Sequence, residues 1–176
     1  NQKQGFQPAN VLTFRVELIE SKYKDAQQVS TFYEQALERL RALPEVQSAS
    51  VASHLPASDS WATREFQIEG KPATLAGEER NATLQVISPD YFQTMRIPVI
   101  QGRDLSEGDG SDAPRVALIS ARMAELYWPN EDPLGKRLKV GKADARGEWF
   151  SIVGIVGDVR RFMFDRDFKP TLYLPQ

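Results

Sequence analysis

No cysteine occurs in the chain, and His54 is its single histidine. The first absence excludes disulfides, thiolate zinc sites and cysteine nucleophiles; the second excludes sites built from several imidazoles. Neither fixes the compartment. Charge of one sign is also lacking, since 22 Lys and Arg stand against 24 Asp and Glu, a formal net charge of -2. That balance gives no electrostatic reason to seek nucleic acid or an anionic lipid surface. Long apolar runs are missing too. Val116-Ala117-Leu118-Ile119 is among the longest, whereas a membrane-spanning helix needs about 20 such residues, so no segment is expected to cross a bilayer. The sequence opens at Asn1 without the basic-then-apolar start of a signal peptide, and reads as a fragment, processed or cut from something longer.

What is present is ordinary globular composition, 41% hydrophobic and 26% charged over 176 residues, enough for one domain or two small ones sharing a core. Leu12, Phe14, Val16 and Leu18 alternate with polar residues, which predicts a half-buried strand over 11–18. The period then changes. Val29, Phe32, Tyr33, Ala36, Leu37, Leu40 and Leu43 recur at three and four, one face of an amphipathic helix over 26–43. Asp25 and Gln28 form a loose capping box at its start, and Pro44 ends it. Val46–Ala52 returns to strand composition and completes a strand–helix–strand unit.

Further strands are predicted around Glu65–Glu69, Thr83–Ile87, Val99–Ile100, Val116–Ile119, Leu138–Val140, Phe150–Val156 and Thr171–Leu174. Ser88-Pro89-Asp90 has the grammar of a short helix start with Ser88 as N-cap. Ser120 is the expected cap of a second short helix ending at Pro129. About nine strands and three helices predict an α+β fold, with helices on one face of mixed sheets.

The chemistry-bearing residues do not assemble a reaction. His54, in Ser53-His54-Leu55-Pro56, is a general base only if a serine and a carboxylate join it, and no G-x-S-x-G motif is present. The acidic stretch Asp104–Asp112 lacks the ligand spacing of an EF-hand and reads as a solvated connector. Glu78-Glu79 and Glu131-Asp132 lie in polar loops. Gly154 and Gly157 sit in an apolar strand with no helix following, which favours a bulge or a close backbone approach over a nucleotide loop. Arg160-Arg161 and Lys136, Arg137, Lys139 and Lys142 are basic clusters amid balancing acids, as on a protected strand edge. Phe162, Met163, Phe164 and Phe168 either fill a core corner or form a contact patch, and core is the favoured reading. The expectation is a chain that is not an enzyme, with no catalytic, cofactor-binding or metal-binding residues.

Several segments together resemble the periplasmic core domain of MacB-like permeases. They are Ser88-Pro89-Asp90-Tyr91-Phe92, Ile97–Asp104, Val116–Ser120 leading to Tyr127–Arg137, Ile152–Arg160, and Leu172-Tyr173-Leu174-Pro175. The helix ending Arg39–Val46 is similar to the family's first strand–helix–strand unit. These matches follow one another in order along nearly the whole chain. Arg96 stands where the family often has glycine.

The resemblance implies an extracytoplasmic domain of a MacB/FtsX-like ABC transporter permease, a loop between two membrane helices of a cytoplasmic-membrane protein. It implies a porter-like subdomain, expected over 8–88 together with 150–176, and a small α/β subdomain inserted at 89–149. It also implies the flanking transmembrane helices, a cytoplasmic ATPase and a second permease protomer as partners, and possible engagement of a periplasmic adaptor or substrate protein, with no cofactor. The function so implied is to couple ATP-driven helix motion to substrate export or mechanotransmission. The isolated fragment is expected to be monomeric. Two other classes stay open on the residues alone: a stand-alone ligand-binding or adhesive module, and a small hydrolase using His54. Neither the transported substrate nor the use of an outer-membrane channel is readable here.

Overall fold

The structure is a computed structural model that describes residues 4–19, 21–56, 58, 61–75, 77–110, 113–160 and 167–176. Phe162, Met163 and Phe164 lie outside the described residues. Helix α1 runs Ala26–Arg41. Asp25 caps it by accepting from the Gln28 amide at 2.8 Å, which satisfies one orphan donor of the first turn, while Gln28 Oε1 reaches back to accept from the Lys24 amide just before the cap. Its apolar face is only partly covered, and Leu37 is its one fully buried residue.

The remaining elements are β1 (Ala62–Ile68), β2 (Asn81–Ile87), α2 (Tyr91–Met95), β3 (Val99–Gly102), β4 (Val116–Ser120), α3 (Ala121–Tyr127), β5 (Arg137–Val140), β6 (Phe150–Val156) and β7 (Thr171–Pro175). The strands form a single sheet in the order β3-β6-β4-β7-β2-β1-β5, and β5 pairs in turn with β6. That last pairing, Arg137 with Ser151 and Leu138 with Phe150, closes β6-β4-β7-β2-β1-β5 into a ring. Closure removes sheet edges. Only β3, attached to the far half of β6 through Val99–Val156 and Gly102–Gly154, keeps an open side among the described strands.

The period-2 pattern of the sequence sorts side chains between the two faces of this ring. Phe66, Ile68, Ala82, Ala117, Ile119, Leu138, Ile152, Leu172 and Leu174, drawn from all six ring strands, pack in one cluster together with Met123 and Trp128 of the α3 region. The alternate residues Val116, Leu118, Val156 and Tyr173 pack on the other face under Tyr91, Phe92 and Met95 of α2. β4 and β7 are therefore buried on both faces, which explains why 116–119 reads as an unbroken apolar run.

Four expectations are corrected. Residues 11–18 form no strand: they join no ladder, and Leu12 and Phe14 are 88% and 63% exposed. The alternation is present, but a strand exists only when a neighbour supplies hydrogen bonds. Val46–Ala52 shrinks to one bridge, Ala52 to Ile87, so the described residues form seven strands rather than nine. The two short helices cover opposite faces of the sheet, not one. Ser88 does not cap α2. Its hydroxyl accepts from the Val51 amide at 2.8 Å and donates to the Pro89 carbonyl, and the N-cap position falls to Asp90, at φ 66° with no side-chain cap bond.

The expected cap at Ser120 does form, accepting from the Met123 amide. Both expected subdomain ranges contribute strands to this sheet: β1, β2, β6 and β7 come from 8–88 with 150–176, and β3, β4 and β5 from 89–149.

Candidate functional site

His54 lies just past the Ala52–Ile87 bridge. Its Nδ1 is 3.0 Å from Ser53 Oγ, and its ring stacks on Trp61 at 6.0 Å. Ser53 Oγ also accepts from the Val86 amide and lies 3.2 Å from Gln85 Oε1. One hydroxyl hydrogen cannot serve both His54 and Gln85. Gln85 is buried, and its Nε2 donates to the His54 carbonyl and the Tyr91 hydroxyl. No carboxylate among the described residues orients the imidazole, as a catalytic triad would require. The group satisfies buried polar atoms where the 51–53 segment crosses β2.

The acidic loop is organised around a cation of the protein itself. Asp109 accepts from both terminal nitrogens of Arg103 at 2.7 and 2.8 Å, and from the amide and hydroxyl of Ser106. The Arg103 hydrogen bonds hold the Asp109 carboxyl down at about 2. Burial instead pushes the Asp104 carboxyl upward.

The two glycines mark a close approach. A Cβ on Gly154 would lie 2.3 Å from the Arg103 carbonyl oxygen, and Gly157 abuts Pro98. The ladder between β4 and β6 shifts register between Ala117 and Leu118, opposite Gly154. The basic cluster is spent on neighbours: Lys136 binds Glu131, Arg137 binds Glu69, and Lys139 reaches the Ala145 carbonyl and the Trp149 ring. Arg160 packs against the half-buried Phe168.

Two features escaped the sequence reading. One is a junction centred on Arg41, the last residue of α1. Its Nη2 donates to Asp90 Oδ2 at 2.7 Å and to the Ala49 carbonyl, and Nη1 lies 3.6 Å from Glu107. Thr94 to Ser48, the Val51–Ser88 pair and the Ser53 amide to the Val86 carbonyl complete it. These bonds, rather than broad helix-on-sheet packing, attach the α1 unit to the closed sheet. The other feature is a cleft of about 440 Å³ beside β3, lined by Gln101, Ile155, Trp128, Pro133 and carboxylates from the α3–β5 region.

This arrangement has known relatives. The family model described as "MacB-like periplasmic core domain" matches residues 3–176. The chain belongs to the MacB-like periplasmic core domain family. An uncharacterized ABC transporter permease of Bacillus subtilis (strain 168), YvrN, is 27% identical over 93 residues, 51% of this chain and 22% of YvrN. The fold is similar to the periplasmic region of MacB from Actinobacillus actinomycetemcomitans, at TM-score 0.56 and 21% identity over 81% of this chain and 54% of that one. It is also similar to the extracellular domain of the noncanonic ABC-type transporter YknZ from Gram-positive bacteria, at TM-score 0.52 and 20% identity over 81% and 61%.

This MacB-like core domain thus spans between about a fifth and three fifths of these relatives. Its family is that of a periplasmic domain of an inner-membrane ABC transporter permease, so the extracytoplasmic placement stands. No helix among the described residues is long and apolar enough to cross a membrane.

Proposed function

We propose that this domain relays movement of permease membrane helices, driven by ATP hydrolysis in a cytoplasmic ATPase, to an extracytoplasmic substrate or partner protein. It does so mechanically and performs no chemistry itself. The carrying observation is the division of the molecule into a closed sheet with a packed core and an α1 unit joined to it by a short set of bonds around Arg41. A ring of paired strands is stiff, whereas an attachment through one short bridged segment and a few side-chain contacts is a place where two stiff bodies pivot.

Two protomers of the full permease would carry two such domains, with membrane helices entering and leaving each. The described ends support this. The Gln7 amide donates to the Met95 carbonyl at the end of α2, and the Gln176 amide to the Ile87 carbonyl shortly before its start. In the full permease a porter-like subdomain of 8–88 with 150–176 and a small α/β subdomain at 89–149 would move as one through the sheet they share, with the α1 unit (8–52) pivoting against it. The unpaired alternating face of 11–18 would then receive its strand neighbours there. The surroundings of Ser53 and His54 favour this reading over a hydrolase.

The test is the distance between spin labels at Gln7 and Gln176 in the folded chain. Neighbouring membrane helices pack about 10 Å apart, so a loop held between two of them is expected to give a separation below about 30 Å including label tethers. Ends on opposite sides of the molecule would overturn a loop pulled from both ends.

A further inference from the structure

We propose that the open side of β3 is a docking edge for an extended, lysine- or arginine-bearing segment of a partner protein. Every other strand among the described residues has a partner strand on both sides, because β5 closes the ring onto β6. β3 pairs with β6 alone, and Ile100 is skipped where the register shifts between Val99 and Gln101. Open edges are usually blunted by charge. Here the four residues Val99–Gly102 carry none, and Ile100 is 58% exposed.

The cleft supplies the side-chain half of the recognition. Gln101 and Ile155 are cross-strand partners, so they share a face of the sheet, and both line the cleft. A residue added opposite Gln101 would project from that same face. It would meet an apolar wall of Trp128, Pro129 and Pro133 and the carboxylates Glu125, Glu131 and Asp132, with no Lys or Arg among the described lining residues. Glu125 is engaged by Arg122, and Glu131 by Lys136 and Lys71. Asp132 has no cationic partner among the described residues. It accepts from the Leu134 amide at 3.0 Å and, weakly, from Gln101 at 3.4 Å. A long apolar stem ending in a cation suits that wall and that carboxylate, while main-chain pairing along β3 supplies register.

The experiment titrates the 176-residue chain with a capped hexapeptide of alternating Val and Lys, read by amide and indole NMR shifts. Expected are shifts at Val99–Gly102 and at the Trp128 indole, and no such shifts with the Val–Glu peptide. Asp132→Asn keeps the acceptor for Leu134 and is expected to weaken binding about three- to five-fold. A peptide N-methylated on its pairing edge is expected to lose binding. Absence of shifts at β3, equal binding of the acidic peptide, indifference to Asp132→Asn or indifference to N-methylation would each overturn the proposal. So would concentration-dependent β3 shifts without peptide, which would make a second copy of this chain the occupant.

Discussion

Arg41 and Asp90, 49 positions apart in sequence, meet at 2.7 Å where α1 ends and α2 begins. The same guanidinium reaches Ala49 and approaches Glu107, so one side chain gathers the return segment of the α1 unit, the β2–α2 corner and the acidic loop. Arg41→Ala should separate local from global stability. Both partners are about a third exposed, so the global cost is expected below about 1 kcal/mol. Amide exchange across α1 should nevertheless rise several-fold while β4 stays protected. Equal acceleration in both, or in neither, would contradict the junction.

Asp109 predicts a pH dependence of definite sign. Its folded value, about 2, lies below its ordinary 3.8 because Arg103 binds the carboxylate. Its contribution is therefore present above pH 3.8 and is lost as pH falls toward 2. Discounted for the half-exposed guanidinium, it is worth about 1–2 kcal/mol. Asp158, raised by burial, has the opposite sign: it costs stability when charged and returns it on protonation. Denaturant midpoints between pH 5 and about 2 should fall less steeply in Asp109→Asn and more steeply in Asp158→Asn.

Arg96 has a backbone conformation that favours glycine. It closes α2 at φ 53°, in the left-handed region. Arg96→Gly is expected to stabilise the chain by about 0.5–1 kcal/mol, net of a 3.3 Å contact with Gln7. A thermal melt that moves down rather than up would contradict this account.

At Gly154 the constraint is space, not φ. A methyl group there would meet the Arg103 carbonyl oxygen and Leu118 Cδ2 at 2.9 Å. Gly154→Ala should cost about 1–3 kcal/mol and release β3 first. Gly70→Ala, with nothing within 4 Å but φ +76°, should cost less and leave β3 exchange unchanged.

What the sequence revealed followed the physics of each signal. Val116–Ile119 and Phe150–Val156 were legible as buried strands because both faces are covered, and the Ser120 cap was legible because it is local. Residues 11–18 carry an equally clear alternation, yet pairing depends on a neighbour that no local pattern encodes. Ring closure through Arg137–Ser151 and Leu138–Phe150 links a short, charged strand to an apolar one and leaves no periodic mark. For the same reason the open edge at β3 was invisible. The Arg41 junction was hidden differently: nothing in the local pattern around Arg41 points to Asp90, and only the folded chain brings the two together.

The central claim, mechanical relay, is tested most directly in the complete permease with its ATPase in lipid nanodiscs. Spin labels at Gln35, exposed on α1, report the distance between the two protomers. The account predicts that this distance changes by about 5 Å or more between nucleotide-free and ATP-trapped states. An unchanged distance distribution while the ATPase turns over would contradict it.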